Sequence, residues 1–293
     1  MKQSAATSRT IRFAALAAVF WLLAFFAAPF LIVVKISFSQ TAIAQPPYAP
    51  VIDFASGWAG IVRALRGFSA ANYASLIEDP LYIASFLRSL EVASIATVLL
   101  LILGYPIAHA MARAPRRWRG ALLLLAALPF WTAFLIRIYA WVNILQRDGL
   151  LNQLLMKAGL IEAPLAWLST DAAVYIGLAY TYLPFMVLPL YASLESMDES
   201  LREAAADLGA SPAQTFWRVT LPLSAPGMAA GSLLCFIPIV GEFVVPDLLG
   251  GSANSMLGQT LWAEFFANRD WPVASAVAVV MLIALLAPIV FLQ

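Results

Sequence analysis

Along the long uncharged stretches of this sequence and at their ends few side chains can do chemistry, and the carboxylates of Glu242 and Asp247, just past one of them, are the first to consider. Counted from Pro226, Glu242 lies about 16 residues along, about 24 Å at the helical rise, and Pro238 and Gly241 are placed to break the helix just before it. A carboxylate buried that deep in hydrocarbon is costly unless it faces a cavity or a partner. Two structural roles compete with ligand binding: Glu242 can cap the broken helix or pair with an arginine. Asp247 falls near the far interface, where an ordinary interfacial acid is the plainer reading. Arg137 stands about 17 residues into another run and is expected to snorkel to the surface, with Glu91 as a possible partner. His109, one helical turn before Arg113, reads as structural.

Bond-making chemistry has little to work with. One His and one Cys exclude an intrachain disulfide and the usual zinc ligand sets. No Ser has a credible base beside it, and Lys2, Lys35 and Lys157 all lie outside the expected spans, so a serine–lysine dyad fails too. No phosphate-binding glycine loop precedes any of the three lysines, so any nucleotide must be hydrolysed by another polypeptide.

The elements that position these residues follow from composition. Of 293 residues 62% are hydrophobic and 11% charged, far from the balance of a soluble domain, and the net charge of +1 excludes a basic nucleic-acid stripe. Uncharged runs occupy Phe13–Val34, Val92–Met111, Gly120–Ile136, Ala172–Leu194, Val219–Gly241 and Trp271–Gln293. Each is close to the roughly 20 residues that cross a bilayer, which predicts six transmembrane helices in one bundle over 1–293. The third is expected to continue straight past Arg137. The first is too long for a secretory signal core, despite Ala42-Ile43-Ala44.

With six spans both termini share one side. That side carries Lys2, Arg9, Arg12, Arg113, Arg116, Arg117, Arg119, Arg202 and Arg218 on short segments, so the termini are expected to be cytoplasmic. On the outer side the loop 36–88 is too long for a connector and is expected to fold against the bundle mouth or a partner, with Leu81–Leu87 lying along the interface. A short helix starting near Leu150 is expected to end near Gly159.

The segment 195–224 is the most informative. Leu201, Ala204, Ala205 and Leu208 share one face of a helix that Asp198 can cap, and Gly209 supplies the left-handed turn that ends it. Ser211 and Gln214 form a capping box around Pro212, opening a second helix that Pro222 should terminate. Five acids against Arg202 and Arg218 give this segment −3, which phosphates would repel, so a DNA-binding helix pair is disfavoured. A plain amphipathic connector and a docking knob for a cytoplasmic partner remain.

Glu203-Ala204-Ala205, Gly209, Val219 and Leu221-Pro222 resemble the EAA loop of permease subunits in bacterial ATP-binding-cassette importers, with Val219 where the family often has Ile. The resemblance extends to the stretches 129–137, 182–189, 241–251 and 268–272 and narrows to polyamine importers, most of all the putrescine type. It implies an all-α, MetI-like type I permease in the bacterial inner membrane, whose 195–224 loop couples to an ATPase. The implied assembly has a second homologous permease subunit, an ATPase dimer holding ATP and Mg, and an extracytoplasmic polyamine-binding protein. A polyamine path should offer carboxylates and aromatic faces. Glu242, Asp247, Tyr180, Tyr182, Phe243 and Trp131 are the candidates. Rival readings are a secondary transporter or a structural membrane protein with an amphipathic hairpin; a membrane-embedded enzyme has no catalytic group to use.

Overall fold

The computed structural model describes residues 16, 18–51, 57–251 and 255–291. Lys2, Arg9, Arg12, the start of the first run at Phe13 and its counterpart at Gln293 lie outside the described residues. In chain order the elements are α1 (Ala18–Ser37), strands β1 (Gln40–Thr41) and β2 (Tyr48–Ala49), α2 (Gly57–Arg66), α3 (Ala71–Glu78) and α4 (Pro80–Arg113). Next come α5 (Arg116–Ala127), α6 (Phe134–Leu145), α7 (Leu150–Lys157), α8 (Asp171–Glu195) and α9 (Ser200–Asp207). The chain continues through α10 (Pro212–Leu223), α11 (Ala225–Val240), α12 (Val244–Leu249), α13 (Leu257–Trp262) and α14 (Trp271–Phe291). The molecule is helical as expected, apart from the small antiparallel ribbon pairing Gln40 with Ala49 and Thr41 with Tyr48.

Helices α1, α4 and α8 are each long and apolar enough to cross a membrane alone. The third and fifth runs are not straight spans. Arg116–Trp131 and Phe134–Lys157 meet at 87°, and Pro212–Leu223 meets Ala225–Val240 at 60°. The first break corrects the continuous third helix: Thr132 and Ala133 are extended after a 3-10 turn at Leu128–Trp131. The second arises at Ser224, because Pro226 has no N–H for the carbonyl of Pro222 and its ring clashes there. The sixth run is α14.

Residues fall into two compact units, 1–83 with 260–293 and 84–259. In the first, α1 packs along α14, and α3 also packs on α14. The segment after α1 folds back on their ends: Asn72 donates to the carbonyls of Ser37 and Ser39 (2.7 and 2.8 Å), Tyr73 bonds Ser37 (2.6 Å), and Thr41 donates to Asp270 (2.8 Å). Leu81–Leu87 does not lie apart as an interfacial strip; it forms the first turns of the continuous α4.

In the second unit α8 is the centre. Its Met186 is fully buried, with Gly104 of α4 and Gly231 of α11 beside it. At Gly227 a Cβ would come within 2.4 Å of the Ser193 Cβ and 3.0 Å of the Pro189 carbonyl, so α11 and α8 touch backbone to backbone, as small residues allow in membranes. Ala230 faces away. Asn152 of α7 ties down the loop that leads to α8 by accepting from Leu165 N–H (3.1 Å) and the Trp167 indole (3.0 Å), and by donating to the Leu165 carbonyl (2.9 Å). Gly159, at φ 69°, ends that helix region as expected. Overpacking predicts that Gly227→Ala costs about 1–3 kcal/mol and lowers the thermal midpoint in detergent. Gly120→Ala, with nothing within 4 Å of its Cβ, should leave it unchanged.

Candidate functional site

Two places in the second unit gather the residues with functional potential. The first is the helix pair α9–α10. Asp198 accepts the Ser200 N–H (2.9 Å) and so starts α9 one residue later than the helical periodicity implied; the same bonds hold its carboxyl below the ordinary value. The end of α9 is built on Gly209 at φ 80°. Ala210 N–H reaches the Ala205 carbonyl (3.0 Å) and Gly209 N–H reaches that of Ala206 (2.8 Å), the paired bonds of a left-handed helix stop. The capping box is present in full: Ser211 accepts the Gln214 N–H (3.3 Å) while Gln214 accepts the Ser211 N–H (2.9 Å).

Pro222 does not end α10, contrary to expectation. The turn Phe216–Thr220 is wide, with Leu221 N–H bonded to the Phe216 carbonyl, and this re-registers the ladder so that the proline is carried in the last turn. The result is a rigid bend whose outer face is apolar and bare. Leu208 is 89% exposed, Leu201 46% and Trp217 65%, with Glu203 and Ala204 also exposed and Ala205, Val219 and Leu221 half-buried.

The second place is a cavity of about 650 Å³ between α6, α8 and α11. Phe130, Phe134, Tyr182 and Phe185 supply its aromatic wall, Phe130 meeting Phe185 edge-on at 4.9 Å. Glu242 closes one end. Its Oε1 accepts the N–H groups of Phe243 (3.2 Å), Val244 (3.0 Å) and Val245 (3.4 Å), and its Oε2 accepts the Tyr182 hydroxyl (2.6 Å). The helix break at Gly241 frees those N–H groups, so the carboxylate caps α12 and borders the cavity at once.

Arg137 shares this cavity and is not snorkelled. After the bend at Thr132–Ala133 it stands in the first turn of α6, lies near the Phe134 ring (5.8 Å), and has buried Nε and Nη1 without a hydrogen-bond partner among the described residues. Nor is Glu91 its partner: that acid pairs with Arg88 (3.0 Å), which also holds Asp171 at the start of α8. Thr181 adds a buried hydroxyl oxygen, also without a hydrogen-bond partner among the described residues, to the same wall.

Of the residues singled out from sequence, the structure thus brings Glu242 and Tyr182 into direct contact, with the Phe243 backbone beside them. Tyr180 instead stacks edge-on against Trp141 (5.6 Å), Trp131 is 77% exposed, and Asp247 is exposed on α12; none of these three borders the cavity. Phe130, Phe134 and Thr181 were not anticipated. Pro129 followed by Thr132-Ala133 was the available signal, since a break there turns Phe130 and Phe134 toward α8.

The family described as "binding-protein-dependent transport system inner membrane component" matches residues 81–292. The chain is 46% identical over 218 residues to the spermidine/putrescine transport system permease protein PotB of Escherichia coli, covering 74% of this chain and 79% of that one. It is 34% identical over 244 residues to the inner membrane ABC transporter permease protein YdcU of the same organism, covering 79% and 74%. Among solved structures, a chain of a bacterial alginate ABC transporter bound to its periplasmic protein shares the fold, with a TM-score of 0.73 at 15% identity over 99% of this chain and 95% of that one. The bent α9–α10 pair, the broken fifth span and the match over 81–292 together place this chain in the family of binding-protein-dependent transport system inner membrane components, as a permease subunit.

Proposed function

We propose that this chain is the permease subunit of an ATP-driven importer that carries polyamines, putrescine foremost, across the inner membrane with its termini on the cytoplasmic side. In this reading it pairs with a second, homologous permease subunit. Two ATPase subunits bind ATP and Mg, and an extracytoplasmic binding protein hands over the polyamine. The observation that carries the reading is α9–α10: a bend that displays Leu201, Glu203, Ala204 and Leu208 outward while the stop at Gly209 and the Ser211–Gln214 capping box hold the turn between its helices. A free apolar surface on a rigid mount is suited to receive a partner and pass on its displacement as a rigid body. The identity to PotB, whose name gives spermidine and putrescine, supports the substrate class.

The cavity supports a polyamine path in its chemistry. Aromatic faces attract an ammonium, the apolar wall suits a methylene chain, and Glu242 offers a carboxylate at the end. Tyr182 holds that carboxylate in place, and Phe243 belongs to the turn that Glu242 caps. Asp247, Tyr180 and Trp131 lie outside this cavity and belong to the path only if it extends beyond it. Arg137 adds a positive charge to the same space, which offsets the carboxylate and opposes the entry of a cation beside it.

Three outcomes are expected from complexes reconstituted in liposomes. Gly209→Val forbids the left-handed turn and Glu203→Lys reverses a charge on the docking face; each should lower uptake per ATP hydrolysed by about tenfold or more while the subunit still inserts. Normal uptake by both would refute the coupling role. Glu242→Gln weakens a charge-assisted hydrogen bond and the α12 cap, so uptake should fall about tenfold with assembly retained. In competition against labelled putrescine, unlabelled putrescine should displace it more effectively than spermidine; the reverse order would reassign the substrate.

A further inference from the structure

The second helix of the bend is fastened to α4 at the point where the chain turns by 60°. Ser224, fully buried at that turn, donates its hydroxyl to the Leu221 carbonyl (2.9 Å), and its oxygen lies 2.9 Å from the Tyr105 hydroxyl. With the serine proton spent on Leu221, Tyr105 is the donor of this pair. Above it, Phe216 of the wide turn wedges edge-on against Tyr105 (5.7 Å) and His109 (5.8 Å), which stack on each other at 6.2 Å. Four side chains from two helices therefore meet at the one break in α10–α11. A broken helix passes displacement poorly, because the missing ladder bonds let its halves swing independently; a second fastening at the break restores the stiffness.

We propose that Tyr105 is a positioning residue for transmission: its hydrogen bond to Ser224 and its contact with Phe216 carry movement of α9–α10 into α4 as well as into α11. The inference rests on the coupling role given above to α9–α10 and adds where its motion goes. The bond is small in energy, and in Tyr105→Phe the Ser224 hydroxyl keeps its bond to the Leu221 carbonyl, so that variant leaves no buried donor unpaired and its effect belongs in the ratio of transport to hydrolysis more than in folding.

The test is a double-mutant cycle in the reconstituted complex, reading uptake per ATP hydrolysed and the yield of assembled complex for Tyr105→Phe, Ser224→Ala and the pair. Each single variant should assemble, hydrolyse ATP at the parent rate, and lose about fivefold in uptake per ATP, and the double should lose no more than either single. Phe216→Leu, which keeps an apolar side chain but removes the ring edge, should move the ratio in the same direction. Unchanged ratios, losses that multiply, or failure of both single variants to assemble would overturn the proposal. Gly209→Val in the same assay separates the two ideas. If it uncouples while the Tyr105 and Ser224 variants do not, only the fastening is wrong; if it too stays coupled, the reading of α9–α10 is wrong.

Discussion

A single backbone angle governs how the apolar face of the α9–α10 pair is presented. Gly209 at φ 80° closes α9 with two hydrogen bonds and directs the chain into the Ser211 capping box, so α9 and α10 are held at a fixed bend with few polar groups left to fray. Most other residues would be strained there, although nothing crowds the position in space; the constraint is conformational, not steric packing. Because the ends are satisfied locally, Leu201, Ala204 and Leu208 are free to remain bare. An apolar face kept in water by a rigid mount fits a binding surface.

The same principle, that a broken helix must have its backbone groups satisfied, organises the membrane-embedded part. Gly241 ends α11, and the three N–H groups that follow are collected by one oxygen of Glu242. That carboxylate is at once a helix cap, an acceptor for Tyr182 and the polar end of an aromatic cavity. Two readings that looked like alternatives in sequence, capping and facing a cavity, coexist in the structure. Arg137 balances the charge of the space without forming an ion pair with Glu242 among the described residues. Close helix contact at Gly227 and Gly231 brings α11 near enough to α8 for these groups to share one cavity.

Much of this was legible from residue types. The apolar runs announced the spans, and Gly209, Ser211 and Gln214 announced the bend, because capping and left-handed turns depend on local chemistry; Asp198 accepts the Ser200 N–H from one residue before the cap position, which Glu199 occupies. What was not legible depends on packing between distant residues. The bend at Thr132–Ala133 places Arg137 in a cavity instead of at the surface, and run length carries no information about direction. Pro222 looked like a helix stop, but the wide turn before it absorbs the missing donor. Glu91 finds Arg88 on its own helix, so its counterion was nearer in sequence than the one inferred. The ribbon β1–β2 and the incorporation of Leu81–Leu87 into α4 show how a loop judged by its length can hide regular structure.

The account stands on α9–α10 being gripped by an ATPase, and accessibility of position 208 measures this most directly. Introduced as Leu208→Cys, a thiol there can be labelled with a membrane-impermeant maleimide in inside-out vesicles, while native Cys235 is buried. The label should be strongly suppressed in the assembled complex and restored when the ATPase subunits are stripped away. Equal labelling with and without those subunits would contradict the account.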